Sequence, residues 1–308
     1  MSETRRFGSE MIGSTKRPSA IALGIGGAGR NILSSIRDDP KFANMKAYEV
    51  GVSDRLPELP FIHVDMQEIQ HTFESKISLV HRPMNNTEEK FMRRLKGMDI
   101  MYILSGMGGE TGSLTSYTCA QLGDKLGLFT IALVALPFKT EGKNRHELAN
   151  EAKSKISEHA DVVAAFHNSR LMRLNPYISM NKAFDVMNSI IRLPMDDFNS
   201  VITSEDIPHL KRFCKDVDEF RIGAGYGKGQ ERGKKASLDA LRSPWLDDME
   251  DYETILAVVT SGIGHAEMEA QDALDVLIDR SPNSHIMWGL RKDPSIGERT
   301  RVTILAGD

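Results

Sequence analysis

The sequence has few cysteines and no long apolar run. Its 308 residues contain 2 cysteines, Cys119 and Cys214, which lie in unrelated segments. Two isolated thiols support neither a disulfide framework nor a cysteine zinc site. No apolar stretch reaches the about 18 residues of a membrane-spanning helix, and the polar residues 1–6 lack the apolar core of a signal peptide. These absences predict a soluble, cytoplasmic protein.

An excess of charge of one sign is also missing. The chain has 39 Lys and Arg residues against 43 Asp and Glu residues, a formal net charge of -4. Such a balance gives the chain as a whole no attraction to nucleic acid or to anionic lipid. We therefore expect no nucleic-acid partner, and the length leaves room for two domains of ordinary size.

Strand and helix patterns alternate after a polar start. Residues 1–18 carry both charge signs and are predicted to form a flexible N-terminal arm. From residue 19, short apolar strands alternate with segments of helical periodicity. The predicted strands are 20–24, 48–52, 60–64, 100–104, 129–136 and 162–166, and the predicted helices begin at 31, 87, 115 and 143. Asn86 or Thr87 is expected to cap the second of these helices. This order predicts an α/β domain over 19–182, with a mostly parallel sheet covered on both faces.

The second half of the chain has a different texture. A helical pattern over 183–191 is bounded or interrupted by Pro194. We predict a central helix over 183–202 and a second, smaller α/β domain over 203–308. Its predicted strands are 254–259 and 301–306, with a glycine-rich strand or turn at 223–229, and its predicted helices are 231–241 and 267–278.

The first glycine cluster follows the first predicted strand. Residues 24–29 match G-x-G-x-x-G between a strand and a helix. Backbone N–H groups and the helix N-terminus can hold a phosphate there. The motif alone also fits a tight turn without a ligand, or a dinucleotide site in which Asp54 would hold a ribose.

A second glycine cluster, residues 105–113, follows another buried strand. Two anion-binding loops at the carboxyl ends of neighbouring parallel strands suit a triphosphate gripped from two sides. Two purely structural turns are the alternative. A dinucleotide-dependent oxidoreductase would leave this second cluster unexplained.

The second cluster also carries a family resemblance. Leu104-Ser-Gly-Met-Gly-Gly-Glu-Thr-Gly-Ser resembles the signature loop of tubulin and FtsZ, G-G-G-T-G-S/T-G. Further stretches are similar to FtsZ in order and spacing: 95–99, 137–145, 166–171, 183–188, 223–225, 243–246 and 301–306. The chain thereby resembles a divergent FtsZ-like protein of the tubulin superfamily over about residues 19–307.

The resemblance implies a Rossmann-like GTPase domain, a central helix and a second domain. It implies binding of GTP and GDP, head-to-tail self-association, and a role in cell division or membrane remodelling. The implied phosphate loops are Gly26, Gly27, Gly29 and Asn31, and Gly108, Gly109, Glu110, Thr111, Gly112 and Ser113. The implied ribose, phosphate and base contacts are Glu141, Arg145, Asn168, Phe184 and Asn188. An asparagine amide can read a purine edge and an aromatic ring can stack on a base.

Several of these residues also fit ordinary structural roles. Phe184 can be helix core, Glu141 and Arg145 a surface i,i+4 pair, and Asn168 a turn residue. Glu110 replaces a glycine of the signature, and Leu114 replaces its last glycine. A carboxylate about 4 Å from a phosphate charge costs about 4 kcal/mol at an effective dielectric near 20. Glu110 can alternatively help to hold Mg²⁺.

The loop that supplies catalytic acids in FtsZ is also altered. The family pattern is Asn-x-Asp-x-x-Asp, which enters the next subunit's nucleotide pocket. Over residues 204–209, Asp206 keeps the first acid, His209 replaces the second, and Glu205 is a substitute if the register shifts by one. A histidine orients or deprotonates water less well than a carboxylate at this place. Hydrolysis is therefore expected to be weak, and Asp206 can alternatively cap a helix.

The functional alternatives follow from these departures. We expect a filament-forming GTP-binding protein, and the alternative is a guanine-nucleotide-binding regulator that does not polymerise. FtsZ binds membrane-anchoring partners through a C-terminal tail, and we expect no counterpart of that tail after Asp308. Indirect membrane association would then use the basic residues Arg5, Arg6, Lys16 and Arg17 or the body of the protein.

Overall fold

The computed structural model describes residues 4–8, 16–36, 39–52, 60–75, 79, 81–170, 177, 179–246 and 252–308. The chain divides into two compact units, Pro18–Ile191 and a second unit made of Met1–Arg17 with Arg192–Asp308. In chain order the strands are β1 Thr4–Phe7, β2 Ala20–Ile25, β3 Lys46–Gly51, β4 Phe61–His63, β5 Ile100–Gly106, β6 Phe129–Leu136, β7 Val162–His167, β8 Arg221–Lys228, β9 Thr254–Ser261, β10 His285–Lys292 and β11 Arg299–Gly307. The α-helices are α1 Gly26–Ser34, α2 Met66–Glu74, α3 Asn86–Leu95, α4 Glu110–Leu126, α5 Lys143–Ser157, α6 Met180–Val201, α7 Ile207–Cys214, α8 Arg232–Ala240 and α9 Ala266–Arg280.

The first unit is built on a parallel six-stranded sheet in the order β4-β3-β2-β5-β6-β7. The strands β2, β5 and β6 are buried along almost their whole length, as a parallel sheet covered on both faces requires. The prediction of an α/β fold with a parallel sheet is confirmed. In the register of β2 and β5, Ile25 lies opposite Ser105. The two glycine clusters therefore begin at the same level of the sheet.

The second unit contains a five-stranded mixed sheet in the order β1-β10-β9-β11-β8. Its strand β1 corrects the prediction of a flexible arm over residues 1–18. Thr4–Phe7 pair in parallel with Ile286–Gly289 of β10. Phe7 is 1% exposed and stacks on Phe198 at 6.3 Å between ring centroids. The sequence pattern did not predict this strand, because Phe7 is its one buried side chain and the two residues before it are charged.

The central helix α6 continues through Pro194. The helix ends at Val201, close to the predicted span 183–202, so Pro194 neither bounds nor interrupts it. A proline inside a helix removes one backbone hydrogen bond and costs about 3 kcal/mol, so tertiary contacts must hold the last turns in place. The division between the two units falls within this helix, between Ile191 and Arg192.

A buried ionic network holds the end of α6 within the second unit. Asp197 is fully buried, and its Oδ2 accepts hydrogen bonds from the Nε of Arg301 at 3.1 Å and the Oγ1 of Thr303 at 2.6 Å. Its Oδ1 accepts from Thr260 Oγ1 at 2.9 Å and from Arg291 at 3.1 Å. Burial by itself lowers the pKa of the Arg301 guanidinium, but the charge and hydrogen bonds of Asp197 raise it above the ordinary value. The arginine therefore stays charged in the interior.

Helix boundaries show smaller differences from the prediction. α1 begins at Gly26 and α4 at Glu110, each five residues before the predicted start, because the glycine clusters themselves form the first turns. Asn85, rather than Asn86 or Thr87, caps α3, in a capping box with Glu88. The sequence did not predict α2, β1 or β10. In the described part of the chain, no helix is long and apolar enough to cross a membrane.

Candidate functional site

A cavity of ≈ 640 Å³ lies in the first unit at the carboxyl ends of β2, β5, β6 and β7. Ligands of open α/β sheets bind at this edge. The cavity brings together most of the predicted nucleotide-binding residues, namely Gly26, Gly27, Asn31, Gly109, Glu110, Thr111, Gly112, Glu141, Arg145, Asn168 and Asn188. Their roles toward a ligand stay predictions.

Both phosphate loops present helix N-termini to the cavity. The residues that precede α1 and α4, Ile25 and Gly109, make no side-chain capping hydrogen bond. The N-cap residues therefore supply no side-chain acceptor to the first N–H groups of either helix, which suits an anion. Gly27 and Gly109 line the cavity, and a Cβ added at either residue would meet nothing within 4 Å. The backbone of each loop thus faces open space in which a ligand can lie.

Three predicted residues shape the loops without lining the cavity: Gly29, Gly108 and Ser113. A Cβ on Gly29 would lie 2.1 Å from the carbonyl oxygen of Leu104, so only glycine allows α1 to approach β5 this closely. The N–H of Gly108 donates to Ser113 Oγ at 2.9 Å. The Ser113 hydroxyl is fully buried, and it braces the turn from inside.

One polar atom of the cavity lining, directly after β7, has no hydrogen-bond partner among the described residues. Asn168 follows β7 directly and is 6% exposed. Its Oδ1 is buried and has no hydrogen-bond partner among the described residues. An unpaired buried acceptor costs about 1–3 kcal/mol, and a ligand that donates a hydrogen bond would remove this cost. Asn188 lines the cavity from α6 and is half-buried, while the side chain of Phe184 is outside the described part of the structure.

Glu141 and Arg145 form an ion pair at the cavity. The NH1 of Arg145 donates to Glu141 Oε2 at 2.5 Å, and Glu141 Oε1 accepts from the backbone N–H of Phe138 at 2.7 Å. The pair is thus the i,i+4 pair that the sequence allows, and both residues also line the cavity.

The sequence interpretation missed one charged residue of the cavity. Arg30 lies between the predicted residues Gly29 and Asn31, and its Nε is 2.7 Å from Oε2 of the buried Glu49. The charged residues of the lining are thus Arg30 and Arg145 against Glu110 and Glu141. Glu110 is the exposed first residue of α4, and no ion pair of Glu110 is found in the described part of the chain. The sequence marked Glu110 because it replaces a glycine of the signature loop, whereas no pattern marked Arg30.

The predicted catalytic loop lies in the second unit. Oδ2 of Asp206 accepts hydrogen bonds from Thr203 N at 2.8 Å, Thr203 Oγ1 at 2.6 Å and Gly8 N at 3.1 Å. Asp206 precedes α7 but makes no side-chain cap, so the alternative of a capping aspartate does not hold. Glu205 is exposed. His209 Nδ1 accepts from NH2 of Arg212 at 2.8 Å.

Family models match both halves of the chain. The GTPase domain of the tubulin/FtsZ family matches residues 79–176, and the C-terminal domain of the FtsZ family matches residues 220–308. Among curated relatives, a cell division protein FtsZ of Methanothermobacter thermautotrophicus is 25% identical, with 99% of this chain and 82% of that protein covered. One from Buchnera aphidicola is 30% identical over 69% of this chain and 57% of its own length.

Solved structures of low identity share the fold. An empty FtsZ dimer of M. jannaschii superposes with a TM-score of 0.81 at 22% identity, covering 95% of this chain and 89% of that one. CetZ2 of Haloferax volcanii, described as a GTPγS-bound protofilament, gives a TM-score of 0.72 at 15% identity, with 94% and 92% covered. The two family-model matches together span more than half of the chain in the order in which they occur in FtsZ. The chain belongs to the tubulin/FtsZ superfamily as an FtsZ-like member.

Proposed function

We propose that this protein is a GTP-binding cytoskeletal protein that associates head to tail with its own copies and hydrolyses GTP slowly. The observation that carries the proposal is the cavity that joins two uncapped glycine loops to the unsatisfied Oδ1 of Asn168. Guanine carries N–H donors on the edge where adenine has an acceptor and a C–H. An acceptor without a partner at the base end therefore favours guanine over adenine.

The phosphates would lie on the two loops. The N–H groups at the starts of α1 and α4 would donate to them, and Thr111 would add a hydroxyl. No group of three His, Cys, Asp or Glu side chains that could hold a metal ion is found among the described residues. Mg²⁺ would therefore be held chiefly by the phosphates, beside Thr111 and Glu110, where it would neutralise charge on them.

Hydrolysis would require a residue from a second copy. Structural relatives are described as a dimer and as a protofilament, which supports self-association of this chain. In a head-to-tail contact, Asp206 of one copy would orient the water that attacks the nucleotide of the next. Nδ1 of His209 accepts a hydrogen bond from Arg212, so this nitrogen is not free to take a proton from the water. A neutral imidazole in place of a second carboxylate is a weaker base for this water, and slow turnover follows.

One observation favours a regulator that does not polymerise. All three hydrogen bonds of the Asp206 side chain converge on Oδ2 and come from its own unit. A carboxylate held in this way can serve only to stabilise its own loop. The two functions are separated by sedimentation and phosphate release with GTP, GDP or ATP. Pelleting that depends on GTP supports the filament, and tight GTP binding without pelleting supports the regulator.

Removal of the side-chain amides of Asn168 and Asn188, where the base is proposed to lie, is expected to reduce selectivity for guanine. Asn168→Ala and Asn188→Ala should each weaken GTP binding by about 1–3 kcal/mol, or roughly 5- to 150-fold. Adenine lacks the matching N–H donors on that edge, so ATP binding should change much less. Calorimetric titration of both nucleotides measures the difference, with the exposed Asn31→Ala as an amide control at the phosphate end. Equal affinity of the unaltered protein for ATP and GTP would contradict guanine recognition.

Glu110→Gln is expected to tighten GTP binding more than GDP binding. The carboxylate stands at the N-terminus of α4, where the phosphates would lie, and a third phosphate brings more negative charge near it. The gain should shrink as salt rises, because exposed charges are screened. Titrations at low and high salt, with and without Mg²⁺, measure this effect. A loss of GTP affinity only when Mg²⁺ is present would instead make Glu110 part of the metal site.

A further inference from the structure

The second unit contains a cavity of ≈ 330 Å³ far in sequence from the phosphate loops. We call it the basic cavity, and it is lined by Arg5, His209, Arg212, Phe213, His285 and Met287. Three elements contribute to it: β1, α7 and the start of β10. Among the described residues that line it, none is acidic. In a chain whose formal net charge is -4, this concentration of basic side chains is local.

The strand β1 sends its two arginines to opposite faces of the sheet, because side chains alternate along a strand. Arg6 pairs with Glu267 at 3.0 Å, and its guanidinium lies 4.9 Å from the ring centroid of Trp288. Arg5 lies beside Met287 in the register of β1 and β10 and lines the basic cavity. No ion pair or hydrogen bond of the Arg5 side chain is found in the part of the chain that the structure describes.

The helix α7 supplies the second guanidinium. Arg212 is exposed and uses one N–H to donate to His209 Nδ1 at 2.8 Å. A guanidinium can only donate, so Nδ1 accepts and Nε2 is the ring nitrogen that can donate to a ligand. No carboxylate within ion-pair distance of Arg212 or His285 is found among the described residues. The cavity thus offers N–H donors and positive charge over a floor that includes the buried Met287.

We propose that the basic cavity binds a phosphate-bearing anion. Guanidinium groups match phosphate oxygens in pairs and hold them by short, charge-assisted hydrogen bonds. The cavity has space for such a group, and among the described residues neither arginine has a carboxylate partner. The ligand is either a soluble phosphate or the phosphate of a lipid headgroup. The cavity shares His209 with the loop of the proposed function, but Arg5 and Arg212 have no role in that function, so variants of the two arginines test this inference separately.

The test uses the whole protein saturated with GDP, so that the nucleotide cavity is filled. Pyrophosphate is titrated by calorimetry, and sedimentation is measured with vesicles of phosphatidylglycerol in phosphatidylcholine and of phosphatidylcholine alone. Arg5→Gln/Arg212→Gln should weaken binding about tenfold or more, since each charge-assisted hydrogen bond contributes well over a factor of ten at its upper range. His285→Gln should give a smaller loss. The charge-matched control Arg280→Gln/Lys234→Gln changes exposed residues of the same unit outside the cavity.

The two probes distinguish the sources. Loss of pyrophosphate binding in the Arg5/Arg212 variant, with binding retained in the control, supports the proposal and assigns a soluble phosphate. Loss confined to phosphatidylglycerol vesicles supports it and assigns a lipid headgroup. If neither probe binds the unaltered protein, or if the variant and its control weaken binding equally, the proposal is overturned.

Discussion

Replacing Asp197 by alanine is expected to lower the unfolding free energy of the second unit by about 3–5 kcal/mol. The carboxylate is fully buried and accepts hydrogen bonds from Arg291, Arg301 and two threonines. Its removal leaves the Arg301 guanidinium charged in the interior, because such a side chain does not lose its proton. Loss of this partner costs more than replacement of the whole network would, since Arg301 then keeps only the longer contact with Asp196 at 3.2 Å.

The two tryptophans make this loss measurable in the second unit alone. Trp245 and Trp288 are the 2 tryptophans of the chain, and both belong to that unit. Urea unfolding followed by their fluorescence therefore reports the unit that contains Asp197. Asp279→Ala, at an exposed position of α9, should change the unfolding free energy by no more than about 0.5 kcal/mol. A loss below about 1 kcal/mol for Asp197→Ala would mean that the interior arginines find other partners.

The second large effect is expected at Asp206. Asp206→Ala should lower GTP turnover about 100-fold or more, the range of a lost general base, while GTP affinity stays nearly unchanged. Turnover per subunit should rise with protein concentration, because the proposed site forms only at a contact between copies. Phosphate release measured over a hundredfold dilution tests this dependence, with the exposed Asp216→Ala as an acidic control in the same unit.

A mixing experiment separates catalysis from loop support. Asp206 also accepts hydrogen bonds from Thr203 and Gly8, so its loss loosens the loop as well. A copy with Asp206→Ala keeps an intact nucleotide cavity, and a copy with Asn168→Ala/Asn188→Ala keeps an intact loop. At a GTP concentration that fills only the intact cavity, the mixture should regain turnover that neither variant has alone. No recovery would favour a carboxylate that only stabilises its own loop and the regulator that does not polymerise.

The sequence predicted where the two glycine loops of the candidate site begin, for a physical reason. Glycines near strand ends are required where backbones approach closely, as Gly29 shows against the carbonyl of Leu104. Such a requirement leaves a sharp pattern in the sequence. The unsatisfied state of Asn168 Oδ1 left none, because it depends on which partners the folded chain fails to bring. Arg30 was missed since one residue in a glycine loop has no periodicity to mark it.

The fold was predictable where strands are buried on both faces. β6 was predicted with its observed limits because eight consecutive apolar or small residues leave no other interpretation. The helix continues through Pro194 against its local propensity, because the turns after it are held by the distant partners Arg291 and Arg301. Strand β1 was missed because its only buried side chain is Phe7, and its pairing partner β10 lies at the other end of the chain.

The pairing of β1 with β10 means that β1 has no partner strand until β10 has been synthesised. Thr4–Phe7 leave the ribosome long before β10, a delay on the order of tens of seconds at about 5–20 residues per second. The first unit is continuous, Pro18–Ile191, and can complete its sheet during that interval. The nascent strand must meanwhile wait with Phe7 in water. Arg5 and Arg6, which precede that phenylalanine, then act as charged gatekeepers that keep the waiting strand from pairing with another chain.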